Sequence, residues 1–481
     1  MLRRDRSRTV LGLLTVLSTS VLLAQPPAKD PATDPEVLGA QRLFTAWAEG
    51  QVRFRGYPGM AVGVVSDQRL VWSRGFGLAN VAAKEPITPQ TKFRMASHSK
   101  LFTATAIMQL REQGKLNLDD PVSKHLSWFT VKPSSPDDPP ITIEELLTHS
   151  SGLPREAADH WTTFNFPTRD EFKALMPKRQ AAFPPETRWK YSNLAYTLAG
   201  MVVEQVSGLT WADYVTRHIY EPLGMVNSSV DRNVPGLAVG YGRRMPDGSR
   251  SVMPFIDAKG MAAATGITST VDDMARFVSA QFGKGSGEGR ILSAASLREM
   301  HRVRMLENNW TRGNAIGFAV TRNRDKTYVG HGGSYPGYIT NTLIDLNGKV
   351  GVIVLTNAQD GDAGGIATQL MNTVGEAVAR AAAAAPEKVK WNPAWSRFAG
   401  LYRGRGGDSH VVELHEKLVI INPDAANLDN PTELEPLGDG TFRFTASTGG
   451  GVVGEVVRFV EENGQVVRMY TGDSFVERVR N

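Results

Sequence analysis

The sequence predicts an α/β protein of the α+β type. Helices flank an antiparallel sheet beside a mostly helical subdomain, and a small all-β, barrel-like C-terminal domain follows. Three observations predict this fold class. Alternating strand patterns occur near the start of the chain and return from residue 326. Helical patterns fill most of the chain between them, and short strand-like runs separated by turn residues fill about the last 90 residues.

Strand patterns in two distant regions predict the sheet. The early runs "GMAVGVV" and "RLVWSRGFG" are separated by "SDQ" and are typical of a hairpin. The later runs are "KTYVGHGG", "YITNTLIDL" and "KVGVIVLTN". Asn347-Gly348 joins the last two and is typical of a two-residue hairpin turn. We therefore expect an antiparallel sheet assembled from both ends of this region.

Helix start and stop signals define the helical region. The pattern "LFTATAIMQLREQG" ends at Gly114, and "TIEELLTHSSG" begins with Thr142 and Glu145 at capping-box spacing. The N-cap of "STVDDMARFVSAQFG" is Ser269 or Thr270. Further helical patterns are "NLAYTLAGMVVEQVSG", "WADYVTRHIY" and, late in the chain, "TQLMNTVGEAVARAAAAA".

The first 24 residues have the order of a secretory signal peptide. An arginine-rich start precedes the apolar run "VLGLLTVLSTSVLLA" and the polar "QPPAKDPATDP", which predicts cleavage after Ala24. An uncleaved membrane anchor is the alternative, although about 15 apolar residues are few for a span. We expect a periplasmic or secreted protein without a stable membrane span after processing. The other predicted segments are a flexible stretch at 25–40, the main domain at 41–385, a linker at 386–395 and the β-rich domain at 396–481.

Charge and cysteine content exclude several classes of protein. The chain of 481 residues has a formal net charge of +5. Residues 1–24 contain four arginines and one aspartate, so their removal lowers the net charge to +2. A charge this small does not argue for nucleic acid as a partner. The chain has no cysteine, which excludes a disulfide framework, a thiol nucleophile and a lipidated cysteine anchor.

Ser97 and Lys100 form a Ser-x-x-Lys motif where the loop "TKFRMAS" meets a helical pattern. Residues three apart share a helix face, so the lysine ammonium can reach the serine hydroxyl. Burial disfavours a charged lysine and can make it a proton acceptor, and a helix start offers backbone N–H groups to a developing oxyanion. Taken alone, the motif fits an N-cap serine with a solvated lysine at least as well.

Tyr191 and Asn193 lie in "FPPETRWKYSN". A tyrosine beside a buried ammonium can share protons with it, so Tyr191 and Lys100 could act as general base and then as acid to the leaving group. The Asn193 amide offers hydrogen bonds to the lysine and to a substrate carbonyl. Alternatively, Ser192 or Asn193 caps a helix and Tyr191 is a core aromatic residue.

His331, Gly332, Gly333 and Ser334 lie within the late strand region. Glycines inside a strand indicate close approach of the backbone to a ligand. A substrate along that edge would bind like an added strand, with a main-chain N–H directed at its carbonyl. A bulge or a turn is the alternative interpretation.

In their order and spacing, these motifs resemble the active-site motifs of the serine β-lactamase and penicillin-binding protein superfamily. The flanking segments "ITIEELLTHSSGLP", "GITSTVDDMARF" and "GHGGSYPGYITNTLIDLNGKVGVIVLTN" also resemble family signatures. The resemblance covers roughly residues 40 to 380. It is strongest to the class C β-lactamase and D-alanyl-D-alanine carboxypeptidase branch, which includes D-aminopeptidases and related esterases. It implies a β-lactamase/transpeptidase-like fold, and the C-terminal domain resembles barrel modules of some D-aminopeptidase-like members.

The resemblance implies a role for each motif residue. Ser97 would be the acylated nucleophile, and Lys100 with Tyr191 the proton-handling pair. Asn193 would contact substrate, and the backbone N–H groups of Ser97 and Ser334 would form the oxyanion hole. No metal or organic cofactor is implied.

Two residues depart from the family pattern. His331 occupies a position where many β-lactamases have a lysine. A histidine there resembles the D,D-peptidase and D-aminopeptidase members and implies less efficient β-lactam hydrolysis. Glu186 stands where a glycine is expected, which implies a changed turn before Tyr191.

The sequence therefore leads to the hypothesis of a serine hydrolase that cleaves amide or ester bonds through an acyl-enzyme. The expected substrates are peptides containing D-amino acids, such as cell-wall peptides. A β-lactamase, a β-lactamase-like carboxylesterase and a noncatalytic penicillin-binding receptor are alternatives.

Two other hydrolase classes are excluded by missing motifs. An α/β-hydrolase would need a G-x-S-x-G elbow, which the chain lacks. A zinc hydrolase would need clustered ligands, and the nine histidines are scattered without an H-E-x-x-H motif. We expect His98 to be a packing or rim residue and His149 to be a cap or turn residue.

Overall fold

A computed structural model describes residues 30–230, 233–283, 290–307, 310–323, 326–383, 390–414, 416–421, 432–438, 440–445 and 452–480. The predicted signal peptide and residues 386–389 of the predicted linker lie outside the described residues. The chain divides into two compact units, Met1–Ala383 and Ala384–Asn481. Within the described part of the chain, no helix is long and apolar enough to cross a bilayer.

The strands of the first unit are built mainly from the two predicted strand regions. They are Gly59–Ser66 (β1), Arg69–Asn80 (β2), Glu85–Pro86 (β3), Phe93–Ala96 (β4), Ser229–Val230 (β5), Ile267–Ser269 (β6), Met305–Leu306 (β7), Arg312–Asn314 (β8), Ala319–Asn323 (β9), Lys326–Tyr335 (β10), Tyr338–Asp345 (β11) and Val350–Thr356 (β12).

An antiparallel sheet has the strand order β3-β2-β1-β12-β11-β10-β9-β8-β7. Strand β1 pairs with β12, from Met60 opposite Thr356 to Ser66 opposite Val350, and this pairing joins the two distant regions. The predicted sheet is thereby confirmed. The helical region also contains three strands that the sequence did not predict. They form a small separate sheet in the order β4-β6-β5.

Helices occupy most of the remaining first unit. The α-helices are Pro35–Arg55 (α1), Ser99–Glu112 (α2), Val122–His125 (α3), Ile143–Leu147 (α4), His160–Thr163 (α5), Arg169–Leu175 (α6), Asn193–Ser207 (α7), Trp211–Val215 (α8), Glu221–Leu223 (α9), Ala262–Thr265 (α10), Val271–Gln281 (α11), Ala294–His301 (α12), Ala363–Leu370 (α13) and Glu376–Ala382 (α14). Turns of π-helix continue α8 at Thr216–Tyr220 and α13 at Met371–Gly375.

Local signals explain several helix boundaries. Thr142 and Glu145 form the predicted capping box of α4, and the Thr270 hydroxyl caps α11. The prediction of a flexible segment at 25–40 was wrong for its last residues. Helix α1 begins at Pro35, because Asp34 caps it and proline is well suited to the first helical position.

The turn between β11 and β12 differs from its prediction. Asp345 pairs with Val350, so the connection contains four residues and not two. Lys349 adopts the left-handed conformation with φ 48°, and the Asp345 side chain accepts the Gly348 N–H at 2.9 Å. The hairpin is confirmed, but the aspartate hydrogen bond favours a longer turn over the two-residue turn typical of Asn-Gly.

The antiparallel sheet forms a middle layer with a hydrophobic core on each face. In β1, Ala61 and Val65 face the core of the helical region, whereas Met60, Val62 and Val64 face a second core built with α1, α13 and α14. Successive side chains of a strand point to opposite faces, so a strand covered on both sides is apolar throughout. This explains the unbroken apolar runs in β1 and β12.

The second unit is a closed barrel, which confirms the prediction of a barrel-like domain. Its strands are Gly400–Gly404 (β13), Gly407–Glu413 (β14), Leu418–Ile421 (β15), Thr432–Gly438 (β16), Thr441–Phe444 (β17), Val456–Glu462 (β18), Gln465–Thr471 (β19) and Ser474–Arg478 (β20). They pair in chain order, and β20 pairs back with β13. Closure leaves no free edge, and alternate side chains such as Tyr402, Phe442 and Val457 fill the interior.

Candidate active site

Ser97 lies in a tight connection between strand β4 and helix α2. Ala96, the residue before it, has φ 51°, a conformation that non-glycine residues rarely adopt. The Ser99 hydroxyl holds this connection by donating to the Ala96 carbonyl at 2.8 Å and accepting the Ile267 N–H at 3.1 Å. Ser97 therefore stands just outside the helix, at the positive end of its dipole, with a partly exposed side chain.

Lys100 is completely buried and its side chain points back to Ser97. Its Nζ donates to Asn193 Oδ1 at 2.7 Å and to the Ala264 carbonyl at 2.8 Å, and it lies 3.1 Å from Ser97 Oγ. Asn193 Oδ1 and the Ala264 carbonyl can only accept hydrogen bonds. The remaining position on the nitrogen faces Ser97, and there a neutral amine has its lone pair. The prediction of a solvated lysine is thus excluded.

The surroundings of Lys100 favour its neutral form. Burial lowers the pKa of Lys100 well below 10.5, because desolvation disfavours the ammonium. The Glu156 carboxylate opposes this shift, and the Arg155 guanidinium adds to it. Lys100 is therefore suited to accept a proton from Ser97.

Tyr191 provides a second hydrogen bond to the Ser97 hydroxyl. Its OH donates to Ser97 Oγ at 2.8 Å, and its ring contacts the His149 ring at a centroid distance of 4.3 Å. Burial raises the pKa of Tyr191 above 10.0, although the hydrogen bond to Ser97 and the Arg155 charge partly oppose the rise. A protonated Tyr191 is a proton donor, so the more favourable base of the pair is Lys100.

Asn193 is the first residue of helix α7, and Ser192 is its cap. The Ser192 hydroxyl accepts the Ala195 N–H at 3.0 Å, and its backbone N–H donates to His149 Nδ1 at 3.1 Å. Capping by Ser192 leaves the Asn193 amide free to reach Lys100. The Ser192 cap is therefore confirmed, and it is compatible with the predicted contact between Asn193 and Lys100.

Strand β10 presents a free edge beside Ser97. Its pairing with β9 ends at Gly330, whereas its pairing with β11 continues to Tyr335. Within the described residues, no strand pairs with the other side of the stretch 331–334. Gly333 lies so close to the loop before Ser97 that an added Cβ would come 2.3 Å from the Met95 carbonyl. The glycines thus allow close backbone approach, and neither a bulge nor a turn interrupts the pairing with β11.

His331 lies at this edge among other aromatic rings. Its ring centroid is 6.4 Å from that of Tyr191 and 6.2 Å from that of His98. Burial, followed by the charges of Lys100 and His98, lowers the pKa of His331 to about 3. His331 is therefore a neutral hydrogen-bonding group at neutral pH and does not replace the charge of a lysine.

His98 and His149 have the structural positions predicted for them. His98 is fully buried and joins α2 to the sheet, with Nε2 2.9 Å from Thr342 Oγ1 and Nδ1 3.2 Å from the Met95 carbonyl. His149 is a turn residue with φ 59°. Its contact with Tyr191 is an additional role that the sequence did not indicate.

The expectation of a changed turn at Glu186 was wrong in one respect. Glu186 has φ 61°, so it adopts the left-handed conformation that a glycine would supply. Its N–H donates to the Ser150 carbonyl at 2.8 Å, which fixes the segment leading to Tyr191. The glutamate therefore keeps a glycine-type backbone conformation.

The structure brings together all the residues that the motifs predicted. Ser97, Lys100, Tyr191 and Asn193 are joined by direct hydrogen bonds, and the stretch 331–334 lies beside them. The sequence analysis missed Arg155, Glu156 and His160, which lie next to this group. Their signal in the sequence was weak, a glutamate and a histidine four residues apart. In the described part of the chain, no group of three or more acidic or histidine side chains could hold a metal ion.

Comparison with known proteins assigns this chain to a family. The model of the family described as Beta-lactamase matches residues 44–374, more than half of the chain. The chain belongs to the Beta-lactamase family. The matched region of this Beta-lactamase family protein contains every predicted site residue, and the closed barrel lies outside it. The family is part of the serine β-lactamase and penicillin-binding protein superfamily of serine hydrolases.

One curated protein and two solved structures illustrate what this chain is similar to. "Protein flp" of Staphylococcus aureus (strain MRSA252) is 27% identical over 307 residues, which are 62% of this chain and 59% of that protein. This Beta-lactamase family protein thus spans about six tenths of that relative's length. The octameric penicillin-binding protein homologue from Pyrococcus abyssi is 25% identical with a TM-score of 0.62, covering 91% of this chain and 99% of that one. A D-stereospecific amidohydrolase from Streptomyces sp. has a TM-score of 0.58 at 21% identity, covering 68% and 97%, and shares the fold.

Proposed function

We propose that this protein is a serine hydrolase that forms an acyl-enzyme on Ser97 and cleaves peptides containing D-amino acids, as a D,D-carboxypeptidase or a D-aminopeptidase. The observation that carries the proposal is the convergence of two proton-handling groups on one hydroxyl. Lys100 Nζ and Tyr191 OH lie 3.1 Å and 2.8 Å from Ser97 Oγ. Membership of a serine hydrolase superfamily supports the same conclusion.

Acylation begins when the Ser97 oxygen attacks the substrate carbonyl and its proton passes to the neutral amine of Lys100. The new C–O bond gives a tetrahedral oxyanion, which backbone N–H groups of Ser97 and Ser334 stabilise. The intermediate collapses when the bond to the leaving amine breaks. Tyr191 donates its proton to that amine and regains one from the Lys100 ammonium, so Lys100 is neutral again.

Deacylation reverses these roles with water as the nucleophile. Water attacks the acyl carbon and gives a proton to Lys100, and the ester bond to Ser97 then breaks. The Ser97 oxygen recovers the proton, and the acid product leaves. The open edge at 331–334 suits an extended peptide, because its backbone can bind as an added strand.

His331 supports a D-peptide substrate over an efficient β-lactamase reaction. Its imidazole is neutral at neutral pH, so it offers a hydrogen bond where a lysine would offer a full charge. The names of the penicillin-binding homologue and the D-stereospecific amidohydrolase are consistent with this substrate class. The periplasmic or secreted location that residues 1–24 predict would bring the enzyme to cell-wall peptides.

Covalent labelling tests the proposal. Wild-type protein, Ser97→Ala and Ser123→Ala are incubated with a fluorophosphonate and with a labelled penicillin, and attachment is read by mass spectrometry. Ser123 is an exposed serine on α3 and serves as the matched control. We expect labelling of the wild type and of Ser123→Ala, and none of Ser97→Ala. Turnover is then measured on D-aminoacyl amides, D-Ala-D-Ala peptides, their L-counterparts, nitrocefin and nitrophenyl esters.

Any other outcome of labelling or turnover shows which part of the proposal is wrong. If the wild type is never labelled, or if Ser97→Ala is labelled equally well, the acyl-enzyme mechanism is wrong. If labelling occurs at Ser97 but no substrate turns over, the protein is a noncatalytic penicillin-binding receptor. If L-peptides or simple esters are cleaved faster than D-peptides, the proposed substrate class is wrong, and the acyl-enzyme mechanism still holds.

A His331→Lys substitution tests the role assigned to His331. β-Lactams have a carboxylate, and a lysine ammonium near it would add a charge-assisted hydrogen bond. Such a bond is worth about 1.5–3 kcal/mol, so kcat/KM for nitrocefin should rise roughly 10- to 100-fold. Cleavage of a D-aminoacyl amide, which has no carboxylate, should not rise, and this substrate is the internal control. An equal change on both substrates would contradict the assignment.

A further inference from the structure

Glu156 lies beneath the active site in the connection between α4 and α5, and its side chain is 17% exposed. Its Oε1 accepts the Asn193 amide Nδ2–H at 2.6 Å, and its Oε2 lies 3.0 Å from Nε2 of His160. His160 is fully buried at the start of α5 and fixes the carboxylate from the side away from Asn193.

The Asn193 amide has opposite chemistry at its two ends. Its oxygen accepts from Lys100 Nζ at 2.7 Å, and its nitrogen donates to Glu156. A carboxylate accepts hydrogen bonds and cannot donate them. The neutral Lys100 amine has two N–H groups and needs an acceptor for each. Glu156 therefore holds the amide in the one orientation that places oxygen against Lys100.

We propose that Glu156 is a positioning residue that aligns the Asn193 amide with Lys100 and places a negative charge opposite the Lys100 amine. The inference rests on the acyl-enzyme function proposed above. Glu156 contacts neither Ser97 nor a substrate in this scheme and acts through Asn193 and through space.

The charged and titratable groups around Lys100 have opposing effects. Glu156 raises the pKa of Lys100, whereas burial and Arg155 lower it. The Arg155 side chain is 62% exposed, lies 3.4 Å from Glu156 Oε1 through Nε, and stacks over the Tyr191 ring at 4.8 Å. Other groups that surround Lys100 come from the residue before α2, from α7 and β10, and from the loops after α4 and before α7. They are His98, Tyr196, His331, His149 and Tyr191.

The sign of the effect on pH dependence follows from these contacts. Acylation needs the neutral amine of Lys100, so the rate falls as pH drops below the pKa of that group. Loss of Glu156 removes an interaction that raises this pKa, so the acidic limb of the rate profile moves to lower pH. A charge that acts across one intervening amide in a partly buried site corresponds to a shift on the order of one pH unit. Loss of Arg155 moves the limb the other way, by less, because Arg155 is more exposed.

The experiment is the pH profile of fluorophosphonate acylation of the full chain, for wild type, Glu156→Gln and Arg155→Gln. In Glu156→Gln we expect the acidic limb about one unit lower and the plateau rate roughly 10- to 100-fold lower, because a misaligned amide weakens the Lys100 geometry. In Arg155→Gln we expect the limb to move to higher pH. A merely structural role of Glu156 would lower the plateau and leave the limb unchanged.

A double variant separates the two actions of Glu156. In an Asn193→Ala background, Glu156→Gln should no longer lower the plateau but should still shift the limb, since the charge acts through space. If Glu156→Gln does not fold, the Glu156→Asp variant tests the positioning role instead. It keeps the charge on a shorter side chain, so the limb should stay at the wild-type pH while the plateau falls at least about 10-fold.

The outcomes distinguish this inference from the function on which it rests. If the wild type is not acylated, the proposed function is wrong and the inference falls with it. If the wild type is acylated and Glu156→Gln keeps both limb and plateau, only the inference is wrong. Wild-type plateau rates in Glu156→Asp would also overturn it.

Discussion

Replacement of Lys100 by methionine is expected to slow acylation of Ser97 roughly 10³- to 10⁴-fold, the upper range for loss of a general base. Methionine has a similar length and no proton acceptor, so the Ser97 hydroxyl would keep only its contact with Tyr191. Burial raises the pKa of Tyr191 above 10.0, which makes the phenol a poor substitute base. The measurement is the rate constant of fluorophosphonate labelling, with substrate turnover as a second readout.

The same substitution should leave the protein folded. Lys100 is fully buried, and converting the ammonium that it forms in water into a buried neutral amine costs free energy, a cost that methionine removes. In return, Asn193 Oδ1 and the Ala264 carbonyl lose their donor, at roughly 1–3 kcal/mol each. These contributions oppose each other, so we expect the Tm to change by less than about 5 °C.

Lys115→Met is the matched control, because Lys115 is exposed just beyond the end of the same helix. Its labelling rate should equal that of the wild type. Retention of more than about a tenth of wild-type activity by a folded Lys100→Met protein would contradict the role of Lys100 as general base.

A Gly333→Ala variant is expected to lose both activity and stability. The added Cβ would lie 2.3 Å from the Met95 carbonyl and 2.3 Å from Thr340 Oγ1, distances that force β10 away from the loop before Ser97. Overpacking of this kind costs about 2–4 kcal/mol of unfolding free energy. A displacement near 1 Å at the catalytic group should lower the acylation rate about 100-fold. Denaturant unfolding and labelling kinetics measure the two effects.

The neighbouring Gly332 provides the control for stability. A Cβ there would meet Asn341 Nδ2, the end of a side chain, at 3.3 Å and the Thr340 carbonyl at 3.7 Å. Gly332→Ala should therefore change the unfolding free energy by less than about 1 kcal/mol. Equal destabilisation by the two alanines would show that close approach at Gly333 is not what requires glycine.

Much of the fold was predictable because its signals are local. The short apolar runs of β1 and β12 indicated strands, and the capping box of Thr142 and Glu145 marked the start of α4. The small sheet of β4, β5 and β6 was missed because strands of two to four residues have no periodicity to recognise. The turn after Asp345 was misjudged because a side-chain hydrogen bond, and not the Asn-Gly pair, selects its length.

The candidate site also contains residues that a local motif predicted and a residue that only the fold reveals. Ser97 and Lys100 are three residues apart, so one turn of chain places them together, and the motif could be recognised directly. Glu156 has no motif, and its importance comes from contact with Asn193, 37 positions away in sequence. Only the folded chain shows such a contact.

The sequence by itself determined the residue types and the order of the motifs, since local periodicity, capping and short-range spacing are written in neighbouring residues. The tertiary structure alone decided that Lys100 is buried, that the Tyr191 hydroxyl contacts Ser97, and that Glu156 supports Asn193. Burial and the pKa changes that follow from it depend on residues brought together from distant parts of the chain. For that reason the chemistry of Lys100 is a property of the fold and not of the Ser-x-x-Lys motif.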